Sequence, residues 1–219
     1  MYKACIFDLD GTLLNTLDSI SINANSALGK YGFKPHTSDE YKYFVGDGVV
    51  KLIERCLAAS GDTELKMFNE VFTEYKRIFA EGCTLNVRPY DGITEMLDEL
   101  KANGIKISVF SNKDYENVRT SLDTVFGKGY FDYMVGIREG VKTKPDRHGV
   151  DLCLNAMGVT EKECIYMGDT LTDMKTGKGA GLFTIGVTWG FRDEAELKKG
   201  NADKIIDRPE ELIPIVLGQ

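Results

Sequence analysis

Apolar residues in this chain gather into three short, nearly continuous runs, and each run stops at small or acidic polar residues. Ala4-Cys5-Ile6-Phe7 leads into Asp8-Leu9-Asp10-Gly11-Thr12, residues 105–110 lead into Ser111-Asn112-Lys113, and residues 164–167 lead into Gly168-Asp169-Thr170. Runs of this length without polar alternation predict strands covered on both faces, as in a parallel sheet. Residues 130–135, 182–187 and 203–206 are three further strand candidates. Between them the period lengthens to that of a helix. Ile93, Met96, Leu97 and Leu100 share one face and end at Asn103-Gly104, while Val150, Leu152, Cys153 and Met157 end at Gly158. Glycine there is a suitable helix stop. Shorter helices are predicted over residues 172–178, 193–199 and 210–217. Strand–helix alternation from about residue 90 onward predicts a doubly wound α/β fold.

Residues 16–83 break that alternation. They offer no buried strand, but three helical stripes: Leu17, Ile20, Ala24, Ala27 and Leu28; then Val49, Leu52, Ile53, Cys56 and Leu57; then Met67 through Phe79. A helical block inserted just after the first strand is the most economical description. It divides the chain into a core of residues 1–15 and 84–219 and a helical unit of residues 16–83.

Composition narrows the functions without choosing one. The 219 residues carry 27 Lys+Arg against 34 Asp+Glu, a net charge of −7, and no basic run could track a phosphate backbone. Nucleic acid and anionic membrane surfaces are therefore disfavoured as partners. The longest uncharged run, residues 179–191, is too short to span a bilayer. The N-terminus enters a strand-like segment without a signal-peptide layout, which predicts a cytoplasmic protein. Five scattered cysteines (Cys5, Cys56, Cys83, Cys153, Cys164) form no Cys-x-x-Cys pair and are expected as buried thiols. Only His36 and His148 are present, so a His/Cys zinc site is not expected.

Chemistry concentrates where the apolar runs end. Ligands of open parallel sheets gather outside the carboxyl ends of the strands, which predicts one crevice containing Asp8, Asp10, Ser111, Asn112, Asp169 and Asp173. Four carboxylates in one place would repel and raise one another's pKa values. A hard divalent cation with oxygen ligands resolves that, and Mg²⁺ suits the donor set. Asp8 and Asp10 are two residues apart, so an extended chain points both the same way. One carboxylate can then attack while the other moves a proton.

The string Phe7-Asp8-Leu9-Asp10-Gly11-Thr12-Leu13, Ser111-Asn112 after a strand, Lys144-Pro145, and Gly168-Asp169-Thr170-Leu171-Thr172-Asp173 follow one another in the order and spacing of four motifs. In them the chain resembles the haloacid dehalogenase-like superfamily of phosphotransferases. The resemblance implies a Rossmann-like core with a helical cap inserted after the first motif. It implies Asp8 as the nucleophile that becomes an aspartyl-phosphate. Asp10 would be the acid and base, its backbone carbonyl on Mg²⁺. Ser111 and the helix N-terminus near Asn112 would hold phosphoryl oxygens, as helix N-termini suit anions. Lys144 would neutralise charge, and Asp169 and Asp173 would fix the metal directly or through water. Lys142 competes with Lys144 but lacks the following proline, Asp173 also suits the start of its helix, and Trp189 is expected to pack.

Within that superfamily, Asp10 excludes a dehalogenase-like assignment. Val45-Gly46-Asp47-Gly48-Val49, Arg88-Pro89-Tyr90-Asp91-Gly92 and Gly186-Val187-Thr188-Trp189-Gly190-Phe191 are similar to the phosphoglycolate phosphatase group. The resemblance therefore implies a Mg²⁺-dependent phosphatase of a small phosphorylated metabolite, as a monomer or a homodimer. Thr12, Asn112, Gly46, Asp47 and Gly48 are the expected substrate contacts, the last three through backbone N–H groups. Three alternatives stand beside it. A phosphomutase would want a histidine in the first cap helix, where Ile20 stands. A phosphonoacetaldehyde hydrolase-like enzyme would want a cap lysine, for which Lys51 is the candidate. A non-catalytic Mg²⁺-binding interaction protein would have no need of Asp8, Asp10, Lys144 and Asp169 together.

Overall fold

The structure, a computed structural model, describes residues 1–218. The chain opens with β1 (Ala4–Phe7) and the two-residue β2 (Leu14–Asn15), then runs through α1 (Leu17–Lys30), α2 (Ser38–Phe44), α3 (Val49–Ala59) and α4 (Phe68–Gly82) to β3 (Arg88–Pro89). From there helix and strand alternate: α5 (Ile93–Ala102), β4 (Lys106–Asp114), α6 (Tyr115–Val125), β5 (Tyr133–Ile137), α7 (His148–Met157), β6 (Cys164–Gly168) and α8 (Leu171–Gly179). The chain closes with β7 (Phe183–Val187), α9 (Glu194–Lys199), β8 (Lys204–Ile206) and α10 (Leu212–Leu217).

Six strands form one parallel sheet in the order β5-β4-β1-β6-β7-β8. The three apolar runs are its adjacent central strands β4, β1 and β6. Period-two geometry explains why those runs never alternate with polar residues. Cys5 and Phe7 of β1, Ile107 and Val109 of β4, and Ile165 and Met167 of β6 face one layer with α5, α6 and α10. Ala4 and Ile6, Phe110, and Cys164 and Tyr166 face the opposite layer with α7. Both faces are dry, so every position must be apolar or internally hydrogen-bonded. Each fully buried Leu, Ile or Phe contributes roughly 1.5–3 kcal/mol to that packing.

The stretch between β2 and β3 contains four helices, one more than the stripes predict; α2 was not anticipated, and its Thr37–Glu40 capping box starts it. The helices enclose their own apolar cluster, in which Leu28, Ile53 and Leu57 are fully buried. Glu74, buried between α1 and α4, accepts from Lys30 and Arg77. The two crossings between this block and the sheet pair as a short antiparallel ladder, Leu14 with Pro89 and Asn15 with Arg88.

β5 begins three residues later than predicted, because Phe126, Tyr130 and Phe131 form an aromatic cluster ahead of the strand. All five cysteines are buried free thiols. Among the described residues no helix is long and apolar enough to cross a membrane.

Candidate active site

β1 and β6 are adjacent and in register, Phe7 opposite Met167, so the residues that follow them emerge side by side. Asp8, Asp169 and Asp173 converge there, all buried, with one carboxylate oxygen from each within 4.8 Å of the others. Lys144 lies beneath them with its side chain only 2% exposed. It donates to Asp8 Oδ1 at 2.5 Å and to Asp173 Oδ1 at 2.8 Å. Lys142, by contrast, is exposed and pairs with Asp146.

Local structure holds each carboxylate. Asp173 occupies the third position of α8 and completes a capping box with Thr170, whose hydroxyl donates to its Oδ2 at 2.6 Å. Tyr166 donates its hydroxyl to Asp173 Oδ1 at 3.0 Å. Asp173 therefore both starts its helix and serves the cluster. Asp169 accepts from the Phe191 backbone N–H at 2.7 Å and from the Thr12 hydroxyl at 3.2 Å. Gly11 makes room for it: its φ is +91°, and a Cβ there would meet Asp169 Oδ2 at 2.4 Å. Gly190 presses on the same side chain, where a Cβ would stand 2.4 Å from Asp169 Cβ.

The charges show the strain of this arrangement. Burial, then the Asp173 carboxylate, raises Asp8 well above the ordinary carboxylate range, although Lys144 pulls the other way. Burial, then Asp173, also pushes Asp169 up to about 7, against the Phe191 N–H. Burial opposes the charge of Lys144, yet Asp173 and Asp8 hold it above the usual lysine range. Three buried carboxylates against one ammonium leave an uncompensated negative site of hard oxygen donors. That donor set fits a divalent cation of the Mg²⁺ class.

The other expected residues divide. Asp8, Asp10, Ser111, Asn112, Gly46 and Gly48 line one cavity, together with Ile20, Leu52, Tyr75 and Phe79 of the helical block. Asp10 does not share the three-carboxylate cluster; its carboxylate turns to Lys113 Nζ at 2.6 Å. Only three carboxylates therefore converge, rather than the expected four. Thr12 is fully buried and spends its hydroxyl on Asp169, so it supports a carboxylate instead of meeting a ligand. Asp47, expected to offer its backbone N–H, does not line this cavity; Thr172 and Arg55 donate to its two carboxylate oxygens, each at 2.5 Å. Those donors hold Asp47 below the ordinary range despite its burial.

Asn112 accepts from the Lys144 backbone N–H at 2.8 Å and donates to Gly46 O at 3.4 Å, linking the lysine loop to the helical block. The helix after β4 starts at Tyr115, not near Asn112, because the strand continues to Asp114. Lys51 is exposed and paired with Glu54, whereas Lys76 and Lys113 reach the cavity. Trp189 packs as expected and donates its indole N–H to Thr12 O at 3.0 Å. Lys113 was not anticipated; a lysine following Ser-Asn at a strand end was the one available signal.

The family model for haloacid dehalogenase-like hydrolases matches residues 5–187. This chain belongs to that family. A phosphoglycolate phosphatase of Aquifex aeolicus is 29% identical over 215 residues, 98% of this chain and 96% of the relative. A pyrophosphatase, PpaX, of Listeria innocua is 26% identical over 212 residues, 96% of this chain and 94% of the relative. A crystal structure of a protein from Lactobacillus delbrueckii subsp. bulgaricus superposes with a TM-score of 0.93 at 31% identity, covering 100% of this chain and 99% of that one. The matched span begins in β1 and ends in β7.

Proposed function

We propose that this hydrolase is a Mg²⁺-dependent phosphomonoesterase of a small cytoplasmic metabolite, with phosphoglycolate as the leading substrate. The observation that carries the reading is the buried Asp8–Lys144 contact at the head of a three-carboxylate cluster. It is supported by the phosphatase names of relatives that match nearly the whole chain.

In this reading residues 16–83 are a cap over the core, and Asp8 is the nucleophile. Its carboxylate attacks phosphorus, the ester oxygen departs, and an acyl phosphate forms on Asp8. Asp10, at the cavity wall, delivers a proton to the departing oxygen and later takes one from the water that hydrolyses the acyl phosphate. Lys144 favours the ionised form of Asp8, orients it and offsets charge on the phosphoryl oxygens, while Ser111 supplies a hydroxyl to them. Asp8, Asp169, Asp173 and the backbone carbonyl of Asp10 would hold Mg²⁺. Bound there, the ion supplies electrostatic stabilisation of the phosphoryl group.

Two observations weigh against the sister chemistries. Ile20, an apolar residue, occupies the cavity wall where a mutase would want a histidine. Lys51, the candidate imine-forming lysine, points to solvent. The deciding measurement is phosphate release from a panel of small phosphorylated metabolites, pyrophosphate included, with Mg²⁺ and with chelator. Asp8→Asn is expected to reduce release by about 10⁴-fold or more while the protein stays folded. Full activity in that variant removes Asp8 from the nucleophile role.

A further inference from the structure

The Lys113–Asp10 pair is a buried ionic contact in the cavity that the proposed reaction leaves unexplained. The Lys113 side chain is only 6% exposed, and its ammonium lies 2.6 Å from Asp10 Oδ1. Apolar surface surrounds it: the Phe79 ring centroid of α4 is 5.4 Å from Nζ, and Tyr75 and Leu52 share the wall. An ammonium withheld from water binds an anion far more strongly than a solvated one. A second lysine, Lys76, reaches the same cavity from the helical block and pairs with Asp114 at 3.0 Å. Both cavity lysines thus hold a protein carboxylate where a ligand carboxylate could sit.

We infer that Lys113 is the specificity-determining residue for a second anionic group on the substrate, exchanging Asp10 for that group when the substrate binds. The inference rests on the phosphomonoesterase reading and deepens it. Asp10 stands beside the departing ester oxygen in that reading. An ammonium touching Asp10 therefore lies just beyond that oxygen, within reach of a carboxylate one methylene away. The exchange has a second effect. Asp10 loses its ion-pair partner only when a substrate with the correct anion is present, and its carboxylate is then free to turn toward the ester oxygen. Short phosphomonoesters bearing a carboxylate, or a second phosphate in its place, satisfy both requirements; neutral monoesters of the same size satisfy neither.

The test compares phosphoglycolate with ethyl phosphate, its counterpart without the carboxylate charge. Wild-type protein with Mg²⁺ is expected to prefer phosphoglycolate in kcat/KM. In Lys113→Met that preference should fall about 30-fold, chiefly through KM, and Lys113→Arg should restore most of it. Calorimetric titration of phosphoglycolate into Asp8→Asn, with and without Lys113→Met, should show the same weakening without turnover. Equal losses on both esters in the Met and Arg variants, or an unchanged affinity in the titration, would reduce Lys113 to a prop for Asp10 and overturn the inference. A wild type that hydrolyses both esters equally overturns it while leaving the phosphatase reading intact. A wild type that releases phosphate from no ester overturns that reading first.

Discussion

The two halves of the cavity are built on opposite principles. On the sheet side, Asp173 and Asp169 are each held by at least two fixed groups: Lys144 and Tyr166 on Asp173, Phe191 N–H and Thr12 on Asp169. On the helical side, the wall is mostly apolar, and it meets the sheet side through a few polar contacts. Arg192 donates to Val45 O at 2.9 Å, Thr172 to Asp47, and Lys76 pairs with Asp114. Several of these side chains are about a third or more exposed, and such contacts are individually weak. Groups that must stabilise a developing charge have to be preorganised, because reorganising them costs the rate. Groups that admit and release a ligand have to part again, and the two-strand ladder at Leu14 and Pro89 is a narrow joint for that. Firmly held carboxylates thus sit at the strand ends, and the weaker, partly exposed polar contacts lie between the inserted helices and the core.

Removing Lys144 is the most severe way to break this contrast. Lys144→Met leaves Asp8 and Asp173 buried without their cation and is expected to cost about 3 kcal/mol or more, together with phosphatase activity. A denaturant midpoint equal to wild type in metal-free buffer would mean that the cluster is far softer than its geometry implies.

Mg²⁺ sharpens the same point with a defined sign. Asp8 and Asp169 have raised pKa values in the fold, Asp169 to about 7. The folded protein therefore binds these protons more tightly than the unfolded chain does. In metal-free protein the stability tied to them is complete below the ordinary carboxylate pKa of about 4 and is lost as pH rises toward about 7. If the proposed Mg²⁺ replaces those protons, the rise in Tm on adding it is larger at pH 8 than at pH 5. At a hundred times Kd the stabilisation is about 2.7 kcal/mol. Thermal melts with Mg²⁺ or chelator at both pH values would read it, and equal shifts would remove these carboxylates from the metal site.

The helical side should respond more gently. Asp47→Ala releases Thr172 and Arg55 but opens no core, so about 1 kcal/mol or less of stability is at stake. Its effect should appear in KM and kcat together, as expected for a contact between closing parts. Lys51→Ala, on the exposed face of α3, should change stability by no more than about 0.5 kcal/mol. A large kinetic effect there would revive the cap-lysine chemistry.

Much of this was legible beforehand because the signals were local. The strands β1, β4 and β6 betray themselves by dry runs, and the motifs at their ends follow from where a parallel sheet exposes its chain. Proline after Lys144 separated it from Lys142. Local signals are silent where burial comes from distant segments. α6 buries only Val118, Ser121 and Leu122, too thin a stripe to be read. The β2–β3 ladder has two residues on each side and exists only because the chain leaves and re-enters the sheet at one place. Asp47 looked like a ligand-binding residue in a glycine-rich loop, and nothing near it announced Thr172, 125 residues away.

By itself, then, the sequence determined the alternating core, the inserted helices and the carboxylates that meet at the strand ends, since backbone period and strand polarity are properties of neighbouring residues. Which oxygens remain free was decided by tertiary structure alone. Thr12 and Asp47 are consumed by partners, Asp10 is held aside by Lys113, and Lys113 itself is dried by Phe79 and Tyr75 from another part of the chain. The physical reason is desolvation: a charge acquires its strength from what excludes water around it, and that is a property of packing across the whole fold.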